Sequence, residues 1–411
     1  MTYDVAIIGG GPAGMMAGIR AGEIGARVVL LEKNKELGLK LLITGHGRCN
    51  LTNLLADKKE NINVYGANAK FLFSAFKKFS VDDTLNFFAS RGLATKVEDH
   101  GRVFPESNKA SDVQKVLQNF LKAKKVELIF TAEVKQIIKE KKEVKKIILA
   151  NGQEIVAKNF IIATGGKSYP ATGSQGDAYA WLAQLGHKVV KARPALTPVI
   201  VKEKTVKDLE GLSFDQAEIS VFCDSKKILS QVGEIIFTAD GLSGPLVLNL
   251  SNRIGSCLTA PVLLKLDFFP EMEIEEFEKK LQADFHRSHN KTIKNYLSEI
   301  LPSKLALAVL KVSNINGSKA VNLIAKEERR ALALAVKQFV LTVMRLKDFD
   351  KAMITAGGVD IREVDPQTMR SKLFENLYFA GEILDLDGPT GGYNLQICWS
   401  TGYTAGDSVK F

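Results

Sequence analysis

One stretch, YDVAIIGGGPAGMMAGIRAGEIGARVVLLEKN (residues 3–34), limits the fold more than any other. An apolar run from Val5 to Ile8 meets Gly9, Gly11 and Gly14 in G-x-G-x-x-G spacing. A helical stretch then ends near Gly25, and a second apolar strand, Arg27 to Leu31, stops at Glu32, 18 residues past Gly14. Gly9 permits a tight turn, Gly11 lets backbone approach a pyrophosphate, and Gly14 lets helix and strand pack closely. The helix start adds free N–H groups and a partial positive charge. Glu32 can accept hydrogen bonds from a ribose diol and disfavours a 2′-phosphate, which suits FAD or NAD.

At 411 residues the chain is too long for one core, so two or three domains are expected. It is 45% hydrophobic and 25% charged, as soluble proteins are, with no apolar run near the ~18 residues of a membrane span. Its start carries no export signal, which makes the cytoplasm the expected compartment. Cys49, Cys223, Cys257 and Cys398 form no C-x-x-C pair and have no His at ligand spacing, so neither a metal site nor a disulfide framework is expected. A net charge of +10 fits an acidic partner such as RNA, or a Lys excess on solvated faces.

The segment from Val126 to Gly166 alternates apolar and polar residues around a charged reversal at Lys139 to Lys142 and an Asn151-Gly152 turn, which predicts a meander of about three strands. It runs into FIIATGG, where Thr164, Gly165 and Gly166 can bring backbone close to a cofactor. Near the other end, the strand Leu377 to Ala380 stops at Gly381-Glu382, and a Gly-rich turn through Gly392 opens a helix near Asn394. The amides of Tyr393 to Gln396, including Leu395, repeat the anion-binding logic of the first turn. Aimed at the N1–C2=O edge of an isoalloxazine, they would stabilise charge that builds there on reduction. Glu382 would bind ribityl hydroxyls.

These features together resemble the flavoproteins of the glutathione-reductase structural class. More narrowly, TGHGRCNLTN, GRVFPESNKASDV, ATGGKSYPATGSQGDAYAWLAQLGH, GLSGPLVLNLS, ITAGGVD and AGEILDLDGPTGGYNLQICWSTGYTAG are similar to the BaiN/YhiN-type NAD(P)/FAD-dependent oxidoreductases, often labelled aminoacetone-oxidase-like. The matches run from Tyr3 to Ala405 in the family's order. The resemblance implies an α/β fold: a Rossmann-like FAD-binding domain interrupted by a β-rich, barrel-like domain and a small helical insertion. Its cofactor contacts also take in Pro12, Ala13, Lys33 and Val134. Two departures stand out, Ala239 where relatives often carry His and Arg370 where they carry an acid.

The loop ITGHGRCNLTN, residues 43–53, has neither helical nor strand period. In this class it passes along the FAD pyrophosphate toward the flavin. Lys40 and Arg48 can then neutralise phosphate, Gly45 and Gly47 permit close approach, and Asn50 and Asn53 can fix loop carbonyls or a substrate amide. Cys49 reads either as a small buried residue or as a proton donor whose pKa Arg48 lowers. His46 reads either as a loop hydrogen-bonding residue or as an acid or base. Tyr393 and Gln396 are candidates to touch substrate, or to cap and pack the helix. No second G-x-G-x-x-G is present, and PATGSQGDAY follows a Pro-containing loop rather than a strand. NADH or NADPH would therefore dock only transiently as reductant.

The expected division is residues 1–195 and 353–411 for the FAD-binding domain, 196–270 with about 335–352 for a β-rich substrate domain, and 271–334 for a small basic helical insertion. Residues 276–330 hold eleven Lys/Arg against six Asp/Glu. Phosphate contacts from such an insertion would position a large RNA while a pocket takes one base. The reaction expected is hydride transfer between flavin N5 and a substrate. The resemblance implies three substrates: a uridine of 23S large-subunit ribosomal RNA reduced to dihydrouridine, an aminoacetone-like amine oxidised with formation of H2O2, or an unsaturated steroid acid. The basic insertion favours the RNA base, with Cys49 or His46 as proton donor. A reading of another class is a ribosome-docking protein with a non-catalytic flavin.

Overall fold

The apolar run of the first strand has no polar alternation because the strand is covered on both faces, as parallel strands are: Val5, Ala6 and Ile7 are fully buried and Ile8 is 4% exposed. The computed structural model describes residues 2–288 and 290–411. They form two units, one holding the chain up to Pro194 and from Ala352 onward, the other Ala195–Lys351. In chain order the first unit contains β1 (Thr2–Ile8), α1 (Pro12–Glu23), β2 (Val28–Leu31), β3 (Glu154–Ile162), α2 (Asp177–Leu185), β4 (Val189–Ala195), β5 (Ile354–Val359), β6 (Leu377–Phe379) and α3 (Tyr393–Ser408).

Parallel pairing sets Ile8 opposite Leu31 on one side and Ile162 on the other, and Ile162 opposite Phe379. The carboxyl ends of β1, β2, β3 and β6 therefore finish level. The residues that follow, Gly9, Glu32, Ala163 and Ala380, crowd one edge, the usual ligand crevice of an open α/β sheet. Glu127–Ile129 extends the sheet beyond β2, and the meander Val134–Glu140, Glu143–Leu149 and β3 forms its antiparallel side. The dinucleotide-binding α/β fold read from the motifs is the one observed.

Helix α3 is buried around most of its circumference because it lies inside the unit, with Leu395, Ile397, Trp399 and Ala405 packed beside the buried polar Gln396, Ser400, Thr401 and Thr404. Its glycines meet α1 backbone to backbone. A Cβ on Gly402 would stand 2.4 Å from the Ala13 carbonyl oxygen, and one on Gly406 2.4 Å from that of Ala17.

The second unit is a closed barrel of Val199–Val201, Gly241–Ser243, Lys226–Thr238, Ser213–Cys223, Val262–Asp267 and Phe339–Leu346, antiparallel throughout. Alternate residues such as Ile219, Val221, Leu264 and Leu341 point inward. Helices Ile274–Arg287, Ile293–Ile300, Ser303–Ser313 and Lys326–Lys337 place Phe277, Leu281, Leu305, Val309 and Val336 in the same core. Among the described residues no helix is long and apolar enough to cross a membrane.

A buried polar chain ties α2, β4 and β6 together in the first unit. Ser371 Oγ lies 3.0 Å from His187 Nε2, and His187 Nδ1 lies 3.0 Å from Glu363 Oε2. The order imitates a hydrolase triad, but Ser371 is 3% exposed and its oxygen already accepts the amides of Leu373 and Phe374 at 3.0 Å each. The hydroxyl is a turn cap that donates to a neutral imidazole. Burial holds His187 below its usual value despite Glu363, so the fold favours the uncharged ring. Stability should be complete above the unfolded value near 6.5 and fall by up to about 1.4 kcal/mol per pH unit as pH drops from there through the folded value. Urea unfolding between pH 7 and pH 5 should show this slope, and His187→Gln should flatten it. Gly406→Ala should cost about 1–3 kcal/mol in the same assay, because α1 must move to admit a methyl.

Candidate dinucleotide site

The crevice at the strand ends is a pocket open to solvent. Its wall includes Gly9, Gly11, Pro12, Ala13, Glu32, Lys33, Lys40, Val134, Thr164, Gly165 and Glu382, all named from the sequence. Gly9 has φ of +104°, a conformation that admits glycine and few other residues, and this turns the chain from β1 into α1. Gly11 caps α1 without a side-chain bond, and no acid occupies the first turn, so the amides there are free for an anion. Glu32, 8% exposed, accepts from Gly10 N at 2.9 Å through Oε2 and from Asn34 N at 2.8 Å through Oε1. The carboxylate is thereby held at the rim with capacity to spare for hydroxyl donors.

Two observations show that the cavity suits a dinucleotide. A Cβ on Gly11 would meet no protein atom within 4 Å, whereas one on Gly14 would stand 1.9 Å from the Gly9 carbonyl oxygen. The first glycine thus faces open space and the second is sealed by packing. Thr164 Oγ1, on the wall, is buried and without a hydrogen-bond partner among the described residues. Lys40 adds a cation: its Nζ lies 2.6 Å from Glu382 Oε2 and 2.5 Å from Ser168 Oγ. Glu382 Oε1 accepts from Thr355 N at 2.6 Å and Ser168 Oγ at 3.1 Å. Cys398, also on the wall, is pushed up to about 12, first by burial and then by the charge of Glu382.

Sequence reasoning missed part of this wall. Thr172–Asp177, the glycine-rich stretch set aside for lacking a preceding strand, closes one side with Trp181. It is fastened by Lys33 Nζ to Asp177 Oδ2 at 2.6 Å and to Gln175 Oε1 at 3.2 Å, and by Asn34 Nδ2 to the Thr172 carbonyl at 3.2 Å. The signal available was the pair Gly173 and Gly176, both at positive φ, ahead of a helix.

Other candidates lie off this wall. Gly14 is sealed against β1, and Gly166 and Gly381 pack tightly on Thr355 and Ala13, respectively. The 43–53 loop is fixed instead to the start of α3. Asn53 Nδ2 donates to the Gly391 carbonyl at 2.9 Å, Trp399 Nε1 to that of Leu51 at 2.8 Å, and Asn50 Oδ1 lies 2.9 Å from where a Cβ on Gly392 would stand. His46 and Gly47 are exposed, and His46 and Cys49 both have positive φ.

The electrostatic reading of this loop is corrected. The Arg48 guanidinium pairs with Glu98 and Asn108 over the Phe104 ring, rather than facing a phosphate or lowering the neighbouring thiol. Cys49 is wholly buried, and desolvation pushes it up to about 12 against a hydrogen bond from Thr44. On α3, the Gln396 side chain is enclosed by Thr52, Thr84, Ser80 and Ser400, and Asn394 bonds both backbone groups of Gly388. Tyr393 Oη accepts from Asn61 at 3.2 Å and Leu395 is packed in the core. Those side chains brace the turn, while its uncapped amides stay available. Among the described residues no cluster of His, Cys, Asp and Glu is placed to hold a metal ion.

Fold and cavity define a dinucleotide-binding oxidoreductase of the flavin type. The family described as HI0933-like protein Rossmann domain matches residues 3–408. The chain is 34% identical over 406 residues to the 3-dehydro-bile acid delta(4,6)-reductase of Clostridium scindens, covering 98% of each. It is 27% identical over 407 residues to the ribosomal RNA dihydrouridine synthase of Escherichia coli, covering 99% of this chain and 98% of that one. The solved 3-ketosteroid-delta4-(5alpha)-dehydrogenase of Rhodococcus jostii shares the fold, with a TM-score of 0.54 at 16% identity over 99% of this chain and 96% of that one. The chain belongs to the HI0933-like family, the YhiN/BaiN-type flavoproteins, and is an FAD-dependent oxidoreductase.

The two glycines should separate on substitution. Gly11→Ala should leave the stability of the cofactor-free protein within about 0.5 kcal/mol of the parent and weaken FAD binding at least about tenfold, read from flavin fluorescence. Gly14→Ala should destabilise the protein itself by about 1–3 kcal/mol.

Proposed function

We propose that this protein reduces a carbon–carbon double bond conjugated to a carbonyl, and that its substrate is a uridine of large-subunit ribosomal RNA, which becomes dihydrouridine. The observation that carries the RNA reading is the charge left over on the helical part of the second unit. Of the eleven basic residues in 276–330, Lys280, Lys291, Lys319, Arg329 and Arg330 are in ion pairs with Asp284, Glu299, Glu328 and Glu278. Lys279, Lys294, Lys304, Lys311 and Lys326 are exposed, with no carboxylate partner among the described residues, while the charge of Arg287 acts on Asp284. Unpaired surface cations of this kind are what phosphate contacts need. The similarity to the E. coli protein along both chains supports the same reading.

The cofactor, when bound, supplies hydride chemistry at flavin N5. The chain's own part is placement. The first-turn amides of α1 and the open face of Gly11 would hold the pyrophosphate, with Lys40 as the nearby cation. Glu32 would hold the adenosine ribose and Glu382 the ribityl hydroxyls, while Thr164 gains a partner for its buried hydroxyl. The uncapped amides of Tyr393, Asn394 and Leu395 would face the pyrimidine carbonyl edge of the flavin. NADH or NADPH would act as a transient reductant.

A second substrate, an unsaturated steroid acid, is favoured by the 34% identity to the bile acid reductase along the full chain. The bond chemistry is shared: two electrons and two protons add across a double bond next to a carbonyl.

Deleting the gene should abolish one dihydrouridine in large-subunit RNA, and FAD-loaded protein with NADH or NADPH should restore it anaerobically on RNA from the deletion strain. Unchanged RNA with turnover of a 3-oxo-4,6-dienoic bile acid would favour the steroid substrate instead. Lys294→Ala and Lys311→Ala should each weaken RNA binding and lower the slope of log affinity against log salt by about 1.

A further inference from the structure

Two cysteines of the barrel unit come together in space, and the flavin chemistry uses neither. Cys223 ends the strand Ser213–Cys223, and Cys257 ends the helix Pro245–Cys257. After the helix the chain turns back, with the Ala260 N–H donating to the Cys257 carbonyl at 3.0 Å, and enters the next strand at Val262, directly opposite Cys223. The Asp224 N–H donates to the Pro261 carbonyl at 3.0 Å and fixes that junction. The backbone thus brings the last residue of the helix to the last residue of the strand. Cys223 Sγ lies 3.9 Å from the Cys257 carbonyl oxygen, and the two thiols share a hydrogen bond. Both are unbridged and partly exposed.

Thiols that touch each other and that small molecules can reach are what disulfide exchange requires. The other two cysteines differ: Cys49 and Cys398 lie in the first unit, and burial pushes each thiol up to about 12. Within the barrel pair, the hydrogen bond with Cys257 holds the Cys223 thiol above its usual value, and Arg253, one helical turn before Cys257, pulls the other way. Cys223 therefore suits the step that closes a bridge better than the step that opens the exchange.

We propose that Cys223 and Cys257 form a reversible disulfide, which clasps the barrel when low-molecular-weight disulfides accumulate. Cys257 gives up its proton and attacks one sulfur of glutathione disulfide, and one glutathione leaves as a thiol with a proton. Cys223 then attacks the Cys257 sulfur of the mixed disulfide, and the second glutathione leaves with the second proton. Two protein thiols are oxidised and one small disulfide is reduced to two thiols, so hydrogens and electrons balance. A dithiol runs the sequence backward. The bridge spans 34 positions of sequence and encloses the strands Lys226–Thr238 and Gly241–Ser243 and the helix, whose Leu246, Val247, Leu250 and Ile254 lie in the barrel core. Closing such a loop restricts the unfolded chain and steadies the folded barrel.

The test uses the FAD-loaded full chain, reduced, desalted and incubated anaerobically with glutathione disulfide at neutral pH, beside Cys223→Ser and Cys257→Ser. Peptide mapping without reduction identifies the bond, and amide hydrogen exchange over residues 226–257 reads its effect. The expected result is a single internal bridge between Cys223 and Cys257 in more than about half of the molecules, reversed by dithiothreitol. Exchange in those residues should slow at least about tenfold in the bridged protein. Each serine variant should keep its flavin, form no internal bridge and show no slowing when oxidised. Cysteines that stay reduced, or that stop as mixed disulfides with glutathione, overturn the proposal, because the sulfurs then cannot close. A bridge between other cysteines or between two chains overturns it too, as does a Cys223–Cys257 bridge that leaves amide exchange unchanged.

Discussion

The backbone contact between α1 and α3 is the constraint on which the site depends. With Gly402 and Gly406 set against the carbonyls of Ala13 and Ala17, the two helices lie closer than side chains would allow. That contact draws β6 onto β3 and puts Ala380 level with Gly9 at the sheet's edge. It also brings Gly381 against Ala13, with a Cβ at Gly381 only 2.7 Å from that of Ala13. Glu32 and Glu382, 350 residues apart in sequence, thus belong to one wall. Spreading the helices by one methyl would shift both carboxylates relative to the amides of α1.

The same economy governs polar groups. Around the cradle, charges are met in pairs or small networks: Lys40 with Glu382 and Lys33 with Asp177. Among the described residues some buried polar atoms are left without a hydrogen bond all the same, including Asp57 Oδ1, Arg91 Nε and Arg329 Nε. Thr164 Oγ1 differs from these in lying on the cavity wall, where a cofactor would sit. The unpaired lysines of the second unit differ in kind, since water serves them until a phosphate does.

The fold was legible where the signal is local. The spacing of Gly9, Gly11 and Gly14, the run into Glu32, and the alternation from Val134 to Ile162 each depend on neighbours a few residues away, and the chain forms those elements. Side-chain partnership was not legible, because it is decided by residues far apart in the chain. Arg48 stands beside Cys49 in sequence, yet Glu98, fifty residues on, claims its charge. Gln396 sits on the flavin-type turn, yet Thr52 and Thr84 enclose its amide. The Thr172–Asp177 strap was discounted for a local reason, the lack of a preceding strand, and is anchored by a distant one, Lys33.

The placement of β6 and α3 also bears on how the protein is made. A ribosome that has released residues 2–32 has built the glycine-rich turn but not the helix that packs on it, because Tyr393–Ser408 is still to come. The barrel unit, Ala195–Lys351, emerges in between and has its own core, so it can fold first. Retention of the flavin therefore requires that α3 has been made, and a chain cut short before Tyr393 would be marked by its lack of colour.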